Sequence, residues 1–329
     1  MMKKNIALVT GGYSGEAVIS YKSAETIQKN IDQNKWNCYL INIHPSGWFF
    51  MLANGEKIDV DKNDFSITIN ANKILFDAVL IGLHGTPGED GKLQGYFDCL
   101  HIPYTSCDAA TSALTFNKRY TVAVAAFAGL HVAKSIHLFK NDHITAAQIV
   151  TQLQLPVFVK PNNGGSSIGM SKVSDAADLE GALEKAFKED DQVLVEEFIK
   201  GREFTIGVFK TKGKVVTLPI TEIISKNDFF DFQAKYEGAS EEITPAQVEE
   251  STAEKVRQQA LKAYSVFNCK GIVRIDFIYD EASGFPYMLE INTVPGQSAA
   301  SLVPQQVIAM GLTLQEFYSS LIEECLEGN

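Results

Sequence analysis

The chain has 329 residues, 45% hydrophobic and 21% charged, which is enough for two or three compact domains of ordinary globular composition. Its formal net charge of −11 argues against a general binder of nucleic acid or of anionic membranes. No apolar run approaches the length of a membrane span, and the short run after Lys3-Lys4 stops too early for a secretory signal. Five scattered cysteines, without Cys-x-x-Cys spacing, fit reduced thiols in a cytoplasmic protein.

In chain order, residues 5–10 read as a strand, 20–34 as an amphipathic helix, and 38–43 and 49–52 as further strands. The continuous apolar run 77–84 reads as a buried parallel strand ending in a glycine-rich turn, and 92–100 as a helix. Strands alternating with helices predict an α/β unit over roughly the first hundred residues. Its first turn, Gly11-Gly-Tyr-Ser-Gly-Glu16, does not match the dinucleotide fingerprint Gly-x-Gly-x-x-Gly, which disfavours a Rossmann oxidoreductase. Glu16, at the helix entrance, either captures an ammonium group or serves as a first-turn acid that favours the helix dipole. His84 opens a second glycine-rich turn at the carboxyl end of a strand, where ligands of open α/β sheets bind. A histidine there is as readily structural as catalytic.

A helical stretch over 109–129 follows, then a strand 132–139, helix 144–153, strand 157–160, loop 162–169, strand 170–173, helix 175–188 and strand 193–198. This pattern predicts a small α+β domain with an antiparallel sheet. The loop Gly164-Gly-Ser-Ser-Ile-Gly169 is suited to place amides and hydroxyls, Ser166 among them, around a phosphate, although it lacks the Gly-Lys-Ser/Thr ending of a P-loop. Lys160, just before Pro161, puts a point charge beside that loop, and Lys118 is a second candidate. Glu196, Glu197 and Glu203 follow an apolar strand and offer acceptors for an amine or for hydroxyls; a charged strand end would read the same way.

The last third reads as strands 203–209 and 215–224, an aperiodic segment 225–244, a helix 245–267, a hairpin and a helix 314–326. The aperiodic segment, which holds Lys235 and Tyr236, is too long for an ordinary connector and reads as a functional lid. In the hairpin, side-chain alternation puts Arg274 and Asp276 on one face, and Glu290 and Asn292 on one face. If the strands pair, an arginine, two carboxylates and an amide converge. Two carboxylates about 4 Å apart repel by roughly 4 kcal/mol at an effective dielectric near 20, so a cation is expected between them. Oxygen donors of this kind suit Mg2+ bound together with phosphates. A hairpin with one solvated polar face is the plainer alternative. After the hairpin, the amides of 294–302 and the Ser301 hydroxyl are suited to hold a carboxylate or oxyanion.

Together these segments resemble the ATP-grasp superfamily and, within it, the D-alanine–D-alanine ligase family, in order and over essentially the whole chain. The resemblance rests on Gly11–Glu16, on His84-Gly-Thr-Pro-Gly-Glu-Asp-Gly-Lys-Leu-Gln-Gly95, on Lys160-Pro161 with Gly165–Met170, on Arg274-Ile-Asp276 and on Leu289-Glu-Ile-Asn-Thr-Val-Pro-Gly296. It implies an ATP-grasp fold preceded by a Rossmann-like N-terminal domain, with domains at 1–106, 107–200 and 201–329. It implies ATP held by Lys118, Lys160, Ser166 and Lys235, with Glu196, Glu197 and Ile199 at the adenine and Glu203 at the ribose. Asp276, Glu290 and Asn292 would ligate two Mg2+ ions, for which Mn2+ would substitute. Glu16 would hold the amino group of a first D-alanine, and His84, Ser301 and Leu302 would complete the substrate contacts. Arg274 and the Gly296 amide would stabilise an oxyanion, while Ser166 and Tyr236 would join Glu16 in a hydrogen-bonded set. The implied protein is a homodimer that supplies peptidoglycan precursors.

The chain departs from common family members at Tyr13, at Ala17-Val18 and at Glu197, where relatives often carry a lysine, so that any adenine contact there would come from the backbone. In the family that the chain resembles a lid tyrosine goes with dipeptide formation, so the resemblance implies through Tyr236 that D-alanine is the acceptor rather than the alternatives D-lactate and D-serine. A catalytically silent nucleotide-binding regulator is the rival of another class, and the full set Lys160, Arg274, Asp276, Glu290 and Asn292 speaks against it.

Overall fold

A computed structural model describes residues 3–142, 144–165, 167–225 and 240–327. The first unit contains β1 (Lys4–Gly11), α1 (Ala17–Asn30), β2 (Trp36–His44), β3 (Gly47–Met51), β4 (Lys57–Asp59), the small ribbon β5 (Ile67–Ile69) and β6 (Asn72–Ile74), then β7 (Ala78–Ile81) and α2 (Lys92–Cys99). Its sheet runs β4-β3-β2-β1-β7, with β1 parallel to both β2 and β7. The apolar run of β1 is buried on both faces, as a central parallel strand requires. Ile6 and Leu8 pack with Ala24 and Ile27 of α1, whereas Ala7 and Val9 pack with Phe65, Phe76 and Phe97 on the other side.

The second unit begins with α3 (Ala109–Phe116) and α4 (Lys118–Phe127) and continues through β8 (Ser135–Phe139), α5 (Ala146–Gln152), β9 (Val157–Pro161), β10 (Ser171–Val173), α6 (Leu179–Ala186) and β11 (Gln192–Glu197). The sheet is antiparallel, in the order β10-β9-β11-β8. The single helix expected over 109–129 is in fact two. Asn117 is extended (φ −95°, ψ 106°) and its side chain accepts from the Tyr120 amide at 3.1 Å, ending α3 and capping α4. A short polar side chain bonding to nearby backbone favours such a break.

The third unit has β12 (Arg202–Thr211), β13 (Lys214–Thr217), β14 (Thr221–Ser225), β15 (Ser240–Ile243), α7 (Glu250–Val266), β16 (Ile272–Asp280), β17 (Phe285–Asn292), α8 (Leu302–Ala309) and α9 (Leu314–Glu327). Its sheet runs β15-β14-β12-β16-β17, with β13 beside β12. The strand expected over 215–224 is divided, because its two halves pair with different parts of β12. Residues 240–243, expected within a lid, form the edge strand β15, and α8 had no counterpart among the sequence expectations. Helix α7 begins at Glu250 rather than at 245, because the Ala246 amide bonds back to the Ile220 carbonyl at 2.8 Å and Glu249 is extended. Phe204, Ile206 and Phe277 pack against Val256, Ala260 and Ala263 of α7, which turns Glu203, Thr205 and Asp276 to the other face. Among the described residues, no helix is long and apolar enough to cross a membrane.

Candidate active site

The β16–β17 pairing brings the four polar residues of the hairpin together. Arg274 lies opposite Asn292, and Asp276 opposite Glu290. Directly paired residues point to the same face. The Arg274 guanidinium donates to both oxygens of Asp276, Nε to Oδ1 at 2.9 Å and Nη2 to Oδ2 at 2.8 Å, and its Nη2 lies 3.8 Å from Glu290 Oε1. Thr205, opposite Asp276 on β12, donates its hydroxyl to Oδ1 as well. Asn292 Oδ1 accepts from the Val294 amide at 3.1 Å, which fixes the chain as it leaves the strand. Two carboxylates and an amide oxygen are hard donors and fit a cation that completes its shell with phosphate and water. Among the described residues no group of three or more histidine, cysteine or acidic side chains is placed to hold a metal ion by itself.

Between the four-stranded and six-stranded sheets lies a cavity of about 440 Å³ lined by Lys160, Phe158, Met170, Glu196, Ile199 and Ile278, with Glu203 and Asp276 on the far wall. Lys160, on β9, pairs with the buried Glu196 carboxylate and sits 5.4 Å from the centre of the Phe158 ring. The Glu197 carboxylate accepts from the Gln154 amide at 2.8 Å and is thereby tied to the turn between α5 and β9. Arg202 forks onto Glu222 (2.7 and 2.8 Å), which raises the guanidinium above its ordinary value. Lys118 is the first residue of α4. Its Nζ donates to the Gly164 carbonyl at 2.8 Å, and its amide to the Asn162 carbonyl at 3.1 Å. The Asn162 side chain also accepts from the Arg119 amide at 2.9 Å, which ties the start of the helix to the glycine-rich loop.

A second cavity, of about 330 Å³, shares Lys118, Gly164, Gly165, Leu289 and Glu290 with the first. Glu16, Arg274, Gly296, Ser301, Leu302 and Glu242 line it. The Glu16 carboxylate is held between two glycines: a Cβ on Gly85 would stand 2.5 Å from Oε2, and one on Gly165 2.6 Å from Oε1. No side chain fits at either position without displacing Glu16. Ser301 occupies the N-cap position of α8, and its hydroxyl meets that of Ser298 at 2.8 Å. His84 is 5% exposed. Its Nδ1 lies 2.7 Å from the Val294 carbonyl, which only accepts, so this nitrogen carries the hydrogen and Nε2 accepts from Ser23 Oγ at 2.8 Å. Ser23 Oγ in turn accepts from the Gln297 amide at 3.0 Å. His84 therefore ties α1 to the loop that carries Gly296.

Ser166, Lys235 and Tyr236 lie outside the described residues. Of the site residues named from sequence, Glu16, His84, Arg274, Glu290, Asn292, Gly296, Ser301 and Leu302 line the second cavity. Lys160, Glu196, Glu197, Ile199, Glu203 and Asp276 line the first, and Lys118 and Glu290 border both. Sequence reasoning missed Thr205, Asn162 and Glu242. Thr205 was legible in principle, because it alternates with Glu203 on β12. Glu242 was not, because it lies in the segment without apolar periodicity. Burial pushes the Glu242 carboxyl above its ordinary value, against a bond from Gln305 and the attraction of Arg274.

An antiparallel four-stranded sheet and a six-stranded one, closing on a cavity with a lysine-bearing strand and a glycine-rich loop on one wall and an acidic hairpin on the other, define the ATP-grasp class of fold. The particular family follows from comparison with known proteins. Residues 5–107 match the family model for the D-ala D-ala ligase N-terminus and residues 116–323 that for the D-ala D-ala ligase C-terminus, and the chain belongs to this family. It is 47% identical to a D-alanine–D-alanine ligase of Flavobacterium johnsoniae over 320 residues, covering 97% of this chain and 98% of that one. It is 47% identical to the ligase of Parabacteroides distasonis over 326 residues, covering 99% and 98%. Among solved structures, the VanG D-Ala:D-Ser ligase from Enterococcus faecalis is similar with a TM-score of 0.88 at 30% identity, covering 98% of this chain and 99% of that one. The D-alanyl-alanine synthetase A from Vibrio cholerae is similar at the same TM-score and 27% identity, covering 99% of each chain.

Proposed function

We propose that this chain joins two D-alanine molecules into D-alanyl-D-alanine at the expense of ATP, through an acyl phosphate, and supplies peptidoglycan precursors in the cytoplasm. The observation that carries the reading is the apposition of Asp276, Glu290 and Arg274 on one sheet face, beside a cavity that Lys118 shares with Glu16. The domains are assigned as 1–106 for the first amino acid, 107–200 for the nucleotide and 201–329 for the acidic hairpin and the second amino acid. The active species is assigned as a homodimer.

A carboxylate does not expel oxide, and activation by phosphate is the chemical reason for using ATP. A carboxylate oxygen of the first D-alanine attacks the γ-phosphorus, and the bond to the bridging oxygen breaks to release ADP. The ammonium of the second D-alanine gives one proton to solvent, the neutral amine attacks the acyl carbon, and the nitrogen gives up a second proton to solvent as phosphate leaves and the carbonyl re-forms. Lys118 and Lys160 neutralise the charge that moves during phosphoryl transfer. Glu196, Ile199 and the Glu197 backbone meet the adenine, and Glu203 the ribose. Glu16 holds the ammonium of the first D-alanine, and Ser301 with the Leu302 amide holds the carboxylate of the second. Arg274, oriented by Asp276, and the Gly296 amide face the oxyanion of the tetrahedral intermediate. Asp276, Glu290 and Asn292 would hold two Mg2+ ions, or Mn2+ in their place, and these supply charge neutralisation at the phosphates.

Purified protein should release phosphate from ATP only when D-alanine and Mg2+ are both present, with D-alanyl-D-alanine as the product by mass. Equal turnover with L-alanine, or none with D-alanine, would refute the substrate assignment. Preferential formation of a mixed product with D-serine or D-lactate would move the assignment to another acceptor.

A further inference from the structure

We propose that Glu242 is the anionic anchor of the second subsite, its carboxylate receiving the ammonium group of the acceptor amino acid. The inference rests on the ligase reading above and adds a residue to it. Four carboxylates line the second cavity: Glu16, Glu89, Glu242 and Glu290. Glu89 accepts from the Gly85 amide at 3.0 Å and lies 3.9 Å from His84 Nδ1, so its carboxylate is engaged within its own turn. Glu16 sits between Gly85 and Gly165, on the first amino acid's side. Glu290 belongs to the acidic hairpin. Glu242 is left, on the wall formed with Ala300 and Ser301.

Its position follows from the sheet. Glu242 pairs with Ile223 on β14, and Ile223 with Glu203 on β12, so all three point to the cavity face shared with Asp276. Gln305, on α8, ties this wall together. Its Nε2 donates to Glu242 Oε2 at 3.2 Å and to the Ala300 carbonyl at 3.0 Å, next to the Ser301 cap. An α-amino acid carries its ammonium and carboxylate on one carbon. A carboxylate seated at Ser301 and the Leu302 amide therefore puts the ammonium within reach of whatever Gln305 holds beside them. Gln305 contributes a single neutral contact and Arg274 only a longer-range attraction, so burial still dominates the shift in Glu242. An arriving cation would relieve the cost of holding that charge.

The test uses the full-length enzyme. With ATP and Mg2+ saturating, the dependence of dipeptide formation on D-alanine separates into one Michaelis constant for each subsite. Glu242→Gln should raise the acceptor constant roughly tenfold or more, as loss of a charge-assisted contact does. The donor constant and that for ATP should stay within about twofold. Glu242→Asp should fall between wild type and Glu242→Gln. Glu241→Gln, on the exposed face of the same strand, should leave all three constants unchanged. Glutamine keeps the volume of Glu242 and its contact with Gln305, and melting curves confirm folding; should it fail to fold, Glu242→Asp decides by the same readout. An acceptor constant within about twofold of wild type, or a rise confined to the donor constant, overturns the inference. Absence of dipeptide from the wild-type enzyme would instead bring down the ligase reading, so the two failures are distinct.

Discussion

Asp276 carries two demands at once, for it orients Arg274 by a two-point contact and offers oxygens toward the cavity. Asp276→Asn keeps the shape but removes the charge that the partly buried Arg274 guanidinium faces. Glu290 remains 3.8 Å from the guanidinium, so the cost should stay below the roughly 3 kcal/mol of breaking a fully buried pair. The expected outcome is a lower melting temperature together with a loss of kcat/KM of roughly a hundredfold or more, since oxyanion donors lose their aim. Glu290→Gln, at a more exposed position, should lose turnover with little change in melting. Wild-type turnover in both variants would contradict the assignment. Glu242 adds a thermodynamic check. Burial raises its pKa in the folded state above the ordinary 4.5, so the folded protein binds the proton more tightly than the unfolded chain. Its contribution to stability is therefore present below pH 4.5 and is lost as pH rises through the raised value. The melting temperature of wild type minus that of Glu242→Gln should fall over that window, and a difference that is flat with pH would argue against the shift.

Among the elements, the β16–β17 hairpin was legible in the sequence because its period of two assigns each side chain to a face, and pairing Asp276 with Glu290 then needs only a register. The boundary between α3 and α4 was not. Asn117 sits within an alanine-rich run that reads as one helix, and it breaks that run only because its side chain caps the next turn and Asn162 holds the following amides. That long-range contact, from a loop more than forty positions away, has no local signature. Edge strand β15 was hidden for the related reason that its pairing partner lies across the sheet. The capped boundary has a functional corollary, since Lys118 is the first residue of α4. Asn117→Ala should cost about 1 kcal/mol, the usual worth of an N-cap. It should also raise the KM for ATP several-fold. Asp108→Ala removes the equivalent cap of α3, which accepts from the Thr111 amide at 2.9 Å, and should cost similar stability with the KM for ATP unchanged. Equal effects of the two substitutions on ATP would show that the loss reflects general loosening rather than displacement of Lys118.

Across the whole molecule, the two cavities adjoin and share part of their walls. Lys118, Gly164, Gly165, Leu289 and Glu290 border both halves, and Glu16 of the first unit reaches Gly165 of the second. The first and third units are also joined through a common core, in which Ile6 and Leu8 of β1 pack with Phe209, Val303 and Phe317. The wall proposed for the nucleotide meets the one proposed for the amino acids where Gly165 approaches Glu16, and filling one half should change the affinity of the other. Linkage requires the effect to be reciprocal, and couplings between sites typically amount to about fivefold or more. Calorimetric titration of D-alanine with and without a non-hydrolysable ATP analogue and Mg2+ should show such a gain, and the reverse titration the same factor. Gly165→Ala offers a way to cut the link, because its Cβ would press on Glu16 Oε1 at 2.6 Å. In that variant the coupling should shrink toward unity while the nucleotide alone still binds. Independent binding in the wild type would mean that the two halves, though contiguous, do not share a conformational equilibrium.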